Sequence, residues 1–213
     1  MKLLTRRTLL RSGLAGLGSA FLLGCTKGSA PSDARLPVTP TPAVDDGDDD
    51  DALVCEPTAD NIEGPFFKDG APSRRVLVRD QDDGQRLALG GVVLGGACAP
   101  LAGVAMEIWH ADHRGAYDND GFQFRGRVRT DADGRWDVST IIPGRYLNGR
   151  RYRPAHIHVK LAAAGHRALT TQLYFEGDPY IDGDPFVVSS LIMPMRKQGD
   201  VVRCDFDFVL AAA

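Results

Sequence analysis

Two histidines one residue apart are the first residues in this chain that could do chemistry. His156 and His158 lie in the alternating run Ala155-His156-Ile157-His158-Val159-Lys160-Leu161. In a strand, residues two apart project from the same face, so the two imidazoles stand side by side, as a metal site requires. The alternative is a chance pair of surface histidines. A copper or zinc site would need further histidine or carboxylate ligands. Of the five histidines, the other three (His110, His113 and His166) form no second strand pair. Two tyrosines offer oxygen donors: Tyr117, after Gly115-Ala116, and Tyr146, after Pro143-Gly144-Arg145. A phenol ionises near about pH 10, so it needs a strong local cation to lose its proton at neutral pH. Taken singly, each tyrosine reads as a packed aromatic with its hydroxyl hydrogen-bonded. Tyr152 competes with Tyr146, being nearer to His156 in sequence.

The elements that must position these residues read as short strands. Residues 87–94 form one, followed by the Gly95-Gly96 turn. Residues 104–109 alternate, with Val104, Met106 and Ile108 on one face. Residues 127–130 lead into Asp131-Ala132-Asp133-Gly134, a hairpin signal, with residues 136–141 as the returning strand. Residues 155–161, 169–175 and 201–210 complete the set, the last with Cys204, Phe206 and Phe208 on one face. No window gives a long amphipathic helix, and there is no internal repeat. Short strands with frequent Gly, Pro and Asp turns imply an all-β fold, an antiparallel β-sandwich whose long connecting loops carry the site.

Of the 213 residues, 43% are apolar and 25% charged, ordinary for a folded protein. The net charge of −3 averages three unlike parts. Residues 1–24 carry four positive charges and no negative one, with a short apolar stretch ending at Leu22-Leu23-Gly24-Cys25. This describes an export signal, too short to span a bilayer, which takes roughly 18–20 apolar residues. Thr5-Arg6-Arg7-Thr8-Leu9-Leu10 resembles a twin-arginine signal. Leu22-Leu23-Gly24-Cys25 resembles a lipobox, in which Cys25 is lipidated. Residues 25–51 contain four prolines and six clustered aspartates (Asp45, Asp46, Asp48, Asp49, Asp50 and Asp51), and read as an extended disordered tether. Residues 52–213 are nearly neutral, with 19 Lys+Arg against 21 Asp+Glu, and form the folded domain. Neither they nor the whole-chain pI near 5.9 suit a nucleic-acid binder, which needs a basic face. The expected location is therefore outside the cytoplasm, lipid-anchored through Cys25 to a bacterial membrane and facing the periplasm or exterior. After Cys25 come Cys55, Cys98 and Cys204, which allow one disulfide and one leftover thiol. No Cys-x-x-Cys pair suggests a thiolate zinc or iron–sulfur site.

In order along the chain stand Glu63-Gly64-Pro65-Phe66-Phe67, Ile108-Trp109 through Gly115-Ala116-Tyr117, and Gly126-Arg127 with Thr130 and Gly134. Thr140-Ile141-Ile142-Pro143-Gly144-Arg145-Tyr146 and Arg153-Pro154-Ala155-His156-Ile157-His158 follow, then Thr171-Gln172-Leu173-Tyr174-Phe175-Glu176-Gly177-Asp178-Pro179. Over roughly residues 55–190 this series resembles the intradiol ring-cleavage dioxygenases, most closely the iron-bearing subunit of protocatechuate 3,4-dioxygenase.

The resemblance implies a mononuclear, non-haem Fe(III) site held by Tyr117, Tyr146, His156 and His158. It implies that Tyr146 leaves the metal to act as a base or make room while Tyr117 stays. It places Arg153 over the substrate ring, where a fixed cation stabilises developing negative charge. It puts Gln172 near the substrate, and reads His110 and His113 as neighbouring groups rather than ligands. It also implies a Cys55–Cys98 disulfide, with Cys204 left as a buried free thiol. The substrates would be a small catechol, protocatechuate or catechol-like, and O2, and a homo- or hetero-oligomer is compatible with the pattern. Two other readings stay open: an exported, non-catalytic transthyretin-like binding module, and a copper or zinc lipoprotein using His156 and His158.

Overall fold

The computed structural model describes residues 54–213. The export signal, the tether and Cys25 lie outside the described residues. Two five-stranded sheets face each other across an apolar core. In the first, β1 (Arg86–Gly95) pairs on one side with β4 (Arg135–Ile141). On its other side it pairs with β11 (Val201–Asp205) and β12 (Phe208–Leu210), and β10 (Arg196–Gln198) extends β11. The second runs in the order β3 (Arg125–Arg129), β2 (Ala105–Trp109), β7 (His156–Ala162), β8 (Leu169–Phe175) and β9 (Ile192–Met193). A separate two-stranded ribbon joins β5 (Tyr146–Asn148) to β6 (Arg151–Arg153). Val104, Met106 and Ile108 are buried on one face as their alternation requires, against Leu87, Leu89, Trp136, Val138, Ile157, Val159 and Phe208. Among the described residues no helix is long and apolar enough to cross a membrane.

The sheets are mixed rather than purely antiparallel. β11 and β12 run parallel to β1, and β9 runs parallel to β8. Antiparallel pairing follows from a tight hairpin, whereas β1 and β11 are distant in sequence and no turn fixes their relative direction. The turn at Asp131-Ala132-Asp133-Gly134 also differs from expectation. It is tight, with Gly134 N donating to Asp131 O at 3.1 Å and the Asp131 carboxylate accepting from Arg135 N at 2.8 Å. Yet β3 pairs with β2 and β4 pairs with β1, so the turn carries the chain from one sheet to the other. A hairpin and an arch between sheets share the same local turn bonds; only the distant partner strands distinguish them.

Residues 201–210 form two strands rather than one. The register against β1 is the same on both sides of the break. Between them, the Asp207 carboxylate replaces a backbone acceptor, taking Val92 N at 2.8 Å. A Cβ on Gly91 would lie 1.9 Å from Phe206 O, so glycine is required where the two backbones close up. Just past the end of β1, Cys98 is disulfide-bonded to Cys55, while Cys204, opposite Leu89 on β11, is a buried free thiol. A bridge spanning 43 residues stabilises by about 4 kcal/mol in the chain-entropy model.

Candidate metal centre

The site is built on the face of the second sheet that points away from the core. Ile157, Val159 and Leu161 of β7 take the core side. His156 and His158 take the other, which is also buried because loops close over it. Register sets their neighbours: Trp109, His158 and Gln172 lie in one row across β2, β7 and β8, and His156 lies opposite Tyr174. The Trp109 indole stacks on the His158 ring, centroids 4.7 Å apart and planes within 8°. The Nδ1 of His156 faces Pro154 O at 2.7 Å, which fixes that nitrogen as the donor and leaves the Nε2 lone pair pointing inward.

Tyr117 and Tyr146 arrive on two loops that cross at glycines. Gly144 N donates to Asp112 O at 2.7 Å. A Cβ on Gly144 would lie 2.4 Å from Gly115 N, and one on Gly115 would lie 2.4 Å from Arg145 O. Only backbones without side chains can cross this closely. Asp112 shapes the first loop by accepting from Arg114 N and Ala116 N, each at 2.8 Å. Asp178 ties the second loop to β7: its carboxylate accepts from Arg145 Nε at 2.8 Å and Ala155 N at 3.0 Å.

The four side chains converge. The Tyr117 oxygen lies 3.4 Å from His156 Nε2 and 3.2 Å from His158 Nε2. The Tyr146 ring is 5.8 Å from that of Tyr117 and 5.6 Å from that of His156. Burial pushes both phenols above their usual pKa, with Arg153 opposing the rise at Tyr146. Burial likewise depresses the imidazoles, His156 to about 3 and His158 well below its ordinary value, so both are neutral at physiological pH. Two imidazole nitrogens thus face one hydroxyl that has one proton to give, and His158 Nδ1 is buried without a partner. Two inward nitrogens with two phenols suit a hard, highly charged cation: anionic oxygen balances its charge and nitrogen completes the shell. Among the described residues no group of three or more His, Cys, Asp or Glu could hold a metal, so the further ligands a copper or zinc site would need are not beside the histidine pair.

The pleat separates the two candidate tyrosines. In the β5–β6 ribbon Tyr146 pairs with Arg153, and Leu147 pairs with Tyr152 on the opposite face. Tyr152 stacks on Tyr180 at 5.0 Å and is 47% exposed, turned away from the histidines. Arg153 is buried, with Nε donating to Asp184 and Nη2 donating to Gln172 Oε1 at 2.8 Å. Gln172 therefore lies behind Arg153 rather than in open space. It is fully buried, and its Nε2 donates to Ile62 O at 2.7 Å. His110 is buried between Ala111 O and Thr140 Oγ1, its pKa lowered by burial to about 4. His113 sits outside, accepting from Arg114 Nε at 3.1 Å.

Several residues that shape the site were given no role from sequence, although Phe66 and Asp178 stand in the segments that carry the family resemblance. The Phe66 ring stacks on Tyr117 at 4.1 Å and meets Tyr146 edge-on, closing the site from the Gly-Pro-Phe-Phe segment. Arg125 is fully buried and clamps that lid, donating to Phe66 O at 2.6 Å and, through Nε and Nη2, to Asp118 O. Asp178 and Asp184 hold the ribbon.

A dioxygenase family model matches residues 62–212. The chlorocatechol 1,2-dioxygenase of Rhodococcus opacus is 35% identical over 185 residues, covering 72% of each chain. Catechol 1,2-dioxygenase 2 of Acinetobacter lwoffii is 35% identical over 171 residues, covering 70% of this chain and 62% of its own. The chain belongs to the intradiol ring-cleavage dioxygenase family. Solved structures agree. One is the dioxygenase domain of a dioxygenase carbohydrate-binding protein fusion from Streptomyces sp. SirexAA-E (46% identity, TM-score 0.69, covering 74% of this chain and all of that one). Another is the 3-chlorocatechol 1,2-dioxygenase of Rhodococcus opacus (31% identity, TM-score 0.69, covering 73% of each). The family generally depends on non-haem iron. Membership sets aside the non-catalytic module. These relatives are named for catechol and chlorocatechol.

Proposed function

We propose that this enzyme holds one Fe(III) between Tyr117, Tyr146, His156 and His158. There it cleaves a catechol-type ring between its two hydroxylated carbons, placing both atoms of O2 in a cis,cis-muconate. The observation that carries this reading is the convergence of two phenols and two neutral imidazoles on one buried point. Bound there, ferric iron would supply Lewis acidity toward both catechol oxygens and the electronic means to couple the ring to dioxygen. The protein supplies the rest. Phe66 and Trp109 keep water from the ligand face. Tyr146, the more exposed of the two and the one beside Arg153, would be held ionised by the cation and, as a phenolate, is suited to take a substrate hydroxyl proton. Arg153 presents a fixed cation to negative charge developing on the ring. Catechol and protocatechuate are the candidate substrates.

The test is the visible spectrum of the purified protein. Tyrosinate-to-iron charge transfer should colour it burgundy, and catechol or protocatechuate added without oxygen should shift the band. A folded but colourless and iron-free protein would overturn the reading. Tyr146→Phe should alter the band and lower turnover by about 100-fold or more, the effect of removing a positioned base. Tyr152→Phe, on the opposite face of the ribbon, should change neither.

We also propose export and membrane anchoring through lipidated Cys25, supported by the basic start, the short apolar run and the lipobox-like Leu22-Leu23-Gly24-Cys25. Cys25→Ala should move the enzyme from the membrane to the soluble fraction on cell fractionation. Retention in the membrane would contradict the anchor.

A further inference from the structure

Asp184 lies in the segment between β8 and β9, far in sequence from any ligand, yet its side chain is 1% exposed and paired with Arg153. It follows a short 3₁₀ turn at Ile181–Gly183 and precedes Pro185. One oxygen accepts from Phe186 N at 2.8 Å, closing an Asx turn that fixes the carboxylate. The other accepts Arg153 Nε. The same turn sets the Phe186 ring 4.8 Å from the Arg153 guanidinium carbon. Phe186 O in turn accepts from Asn61 Nδ2 at 2.7 Å, which pins the segment to the rest of the domain. On the next edge, Gln172 Oε1 takes Nη2 while accepting Tyr174 OH at 3.0 Å. Two edges and one face of the guanidinium are therefore committed. The guanidinium belongs to the residue that stands directly opposite Tyr146 across the β5–β6 ribbon.

We propose that Asp184 is a positioning residue for the ring-cleavage reaction: it locks the Arg153 guanidinium so that its free edge faces Tyr146 and the ring. The inference rests on the function proposed above. Asp184 touches neither Tyr146 nor any histidine ligand through a hydrogen bond, so it acts through Arg153. A planar fork held on one edge alone can turn about its last bonds, and its free N–H groups then lose their aim. A misplacement of about an ångström is enough to cost about 100-fold in rate.

The experiment is a double-mutant cycle on the iron-loaded enzyme, using D184N, which keeps the shape and one acceptor oxygen, and Arg153→Met. D184N should keep its iron and colour and bind catechol anaerobically with a dissociation constant within threefold of wild type. Its kcat should fall 10- to 100-fold. In the Arg153→Met background the same change should alter kcat less than threefold, because the group it aims is already gone. Equal losses in both backgrounds, an unchanged kcat in D184N alone, or a loss matched by lost iron would each overturn the assignment. If D184N does not accumulate folded, Asp184→Glu takes its place with the same expectations. It keeps the charge but displaces the guanidinium by a methylene. A wild-type protein that holds iron but cleaves no catechol would overturn the proposed function itself, a result distinct from any outcome of the cycle in an active enzyme.

Discussion

His158→Ala is expected to yield a folded protein that binds little iron, has lost its colour and shows no measurable ring cleavage. Losing a group that merely orients a metal ligand typically costs 10- to 100-fold. Losing the ligand itself should cost more, about 1,000-fold or beyond. The His158 Nε2 points at the Tyr117 oxygen, and its ring is wedged between the Trp109 indole and the edge of His156. Alanine would leave a slot beside the indole that water can enter, and water replaces neither the nitrogen nor its fixed direction. The fold should survive, because the core contacts of β7 are made by Ile157, Val159 and Leu161 on the other face. His158 Nδ1 is also buried without a partner, so removing the ring deletes an unsatisfied polar atom along with its contacts. Metal analysis, the visible spectrum and oxygen uptake with catechol check the first part; denaturation of the metal-free protein checks the second. A variant that keeps its iron and its burgundy band would remove His158 from the ligand set.

What could be read from sequence was what period and local chemistry decide. The alternation of residues 155–161 placed both histidines on one face, and the structure puts them there. Alternation alone would put Tyr146 and Tyr152, six residues apart, on one face; it is the pairing of Tyr146 with Arg153 and of Leu147 with Tyr152 across the ribbon that separates them, and two three-residue strands give no sign of that pairing in sequence. Turn chemistry marked Asp131-Ala132-Asp133-Gly134 correctly as a turn and misled about its purpose, since strand partners are chosen by distant packing. The parallel return of β11 beside β1 depends on contacts across more than a hundred residues, which no local window holds. Asp178 and Asp184 both stand in Gly-Asp-Pro, which reads locally as a turn and nothing more. Each in fact pairs its buried carboxylate with an arginine, Asp178 with Arg145 just before the ribbon and Asp184 with Arg153 at its end. An arginine near a predicted site needs a buried counterion, and that requirement was the sequence clue to Asp184; Asp178 also stands in the last segment of the family series.

Arg153→Met should separate holding the metal from using it. The variant keeps all four proposed ligands, so it is expected to be coloured and to shift its band when catechol is added without oxygen. Its kcat should fall by about 100- to 1,000-fold, the range for removing one preorganised charge or donor aimed at a transition state. KM should change far less, because the cation matters most where negative charge develops. Stability should report the same pair. Arg153 and Asp184 are both buried, 6% and 1% exposed at the side chain. Removing only the arginine strands a carboxylate in a dry environment, at a cost of about 3–5 kcal/mol. Adding Asp184→Asn to Arg153→Met removes the stranded charge and should recover most of that loss while leaving kcat as low as before. Urea denaturation of the metal-free single and double variants measures the first quantity, and oxygen uptake measures the second. If the double variant is no more stable than Arg153→Met alone, the two side chains are not the mutually dependent pair their geometry describes. If Arg153→Met turns over at the wild-type rate, the guanidinium lies beside the reaction without taking part in it.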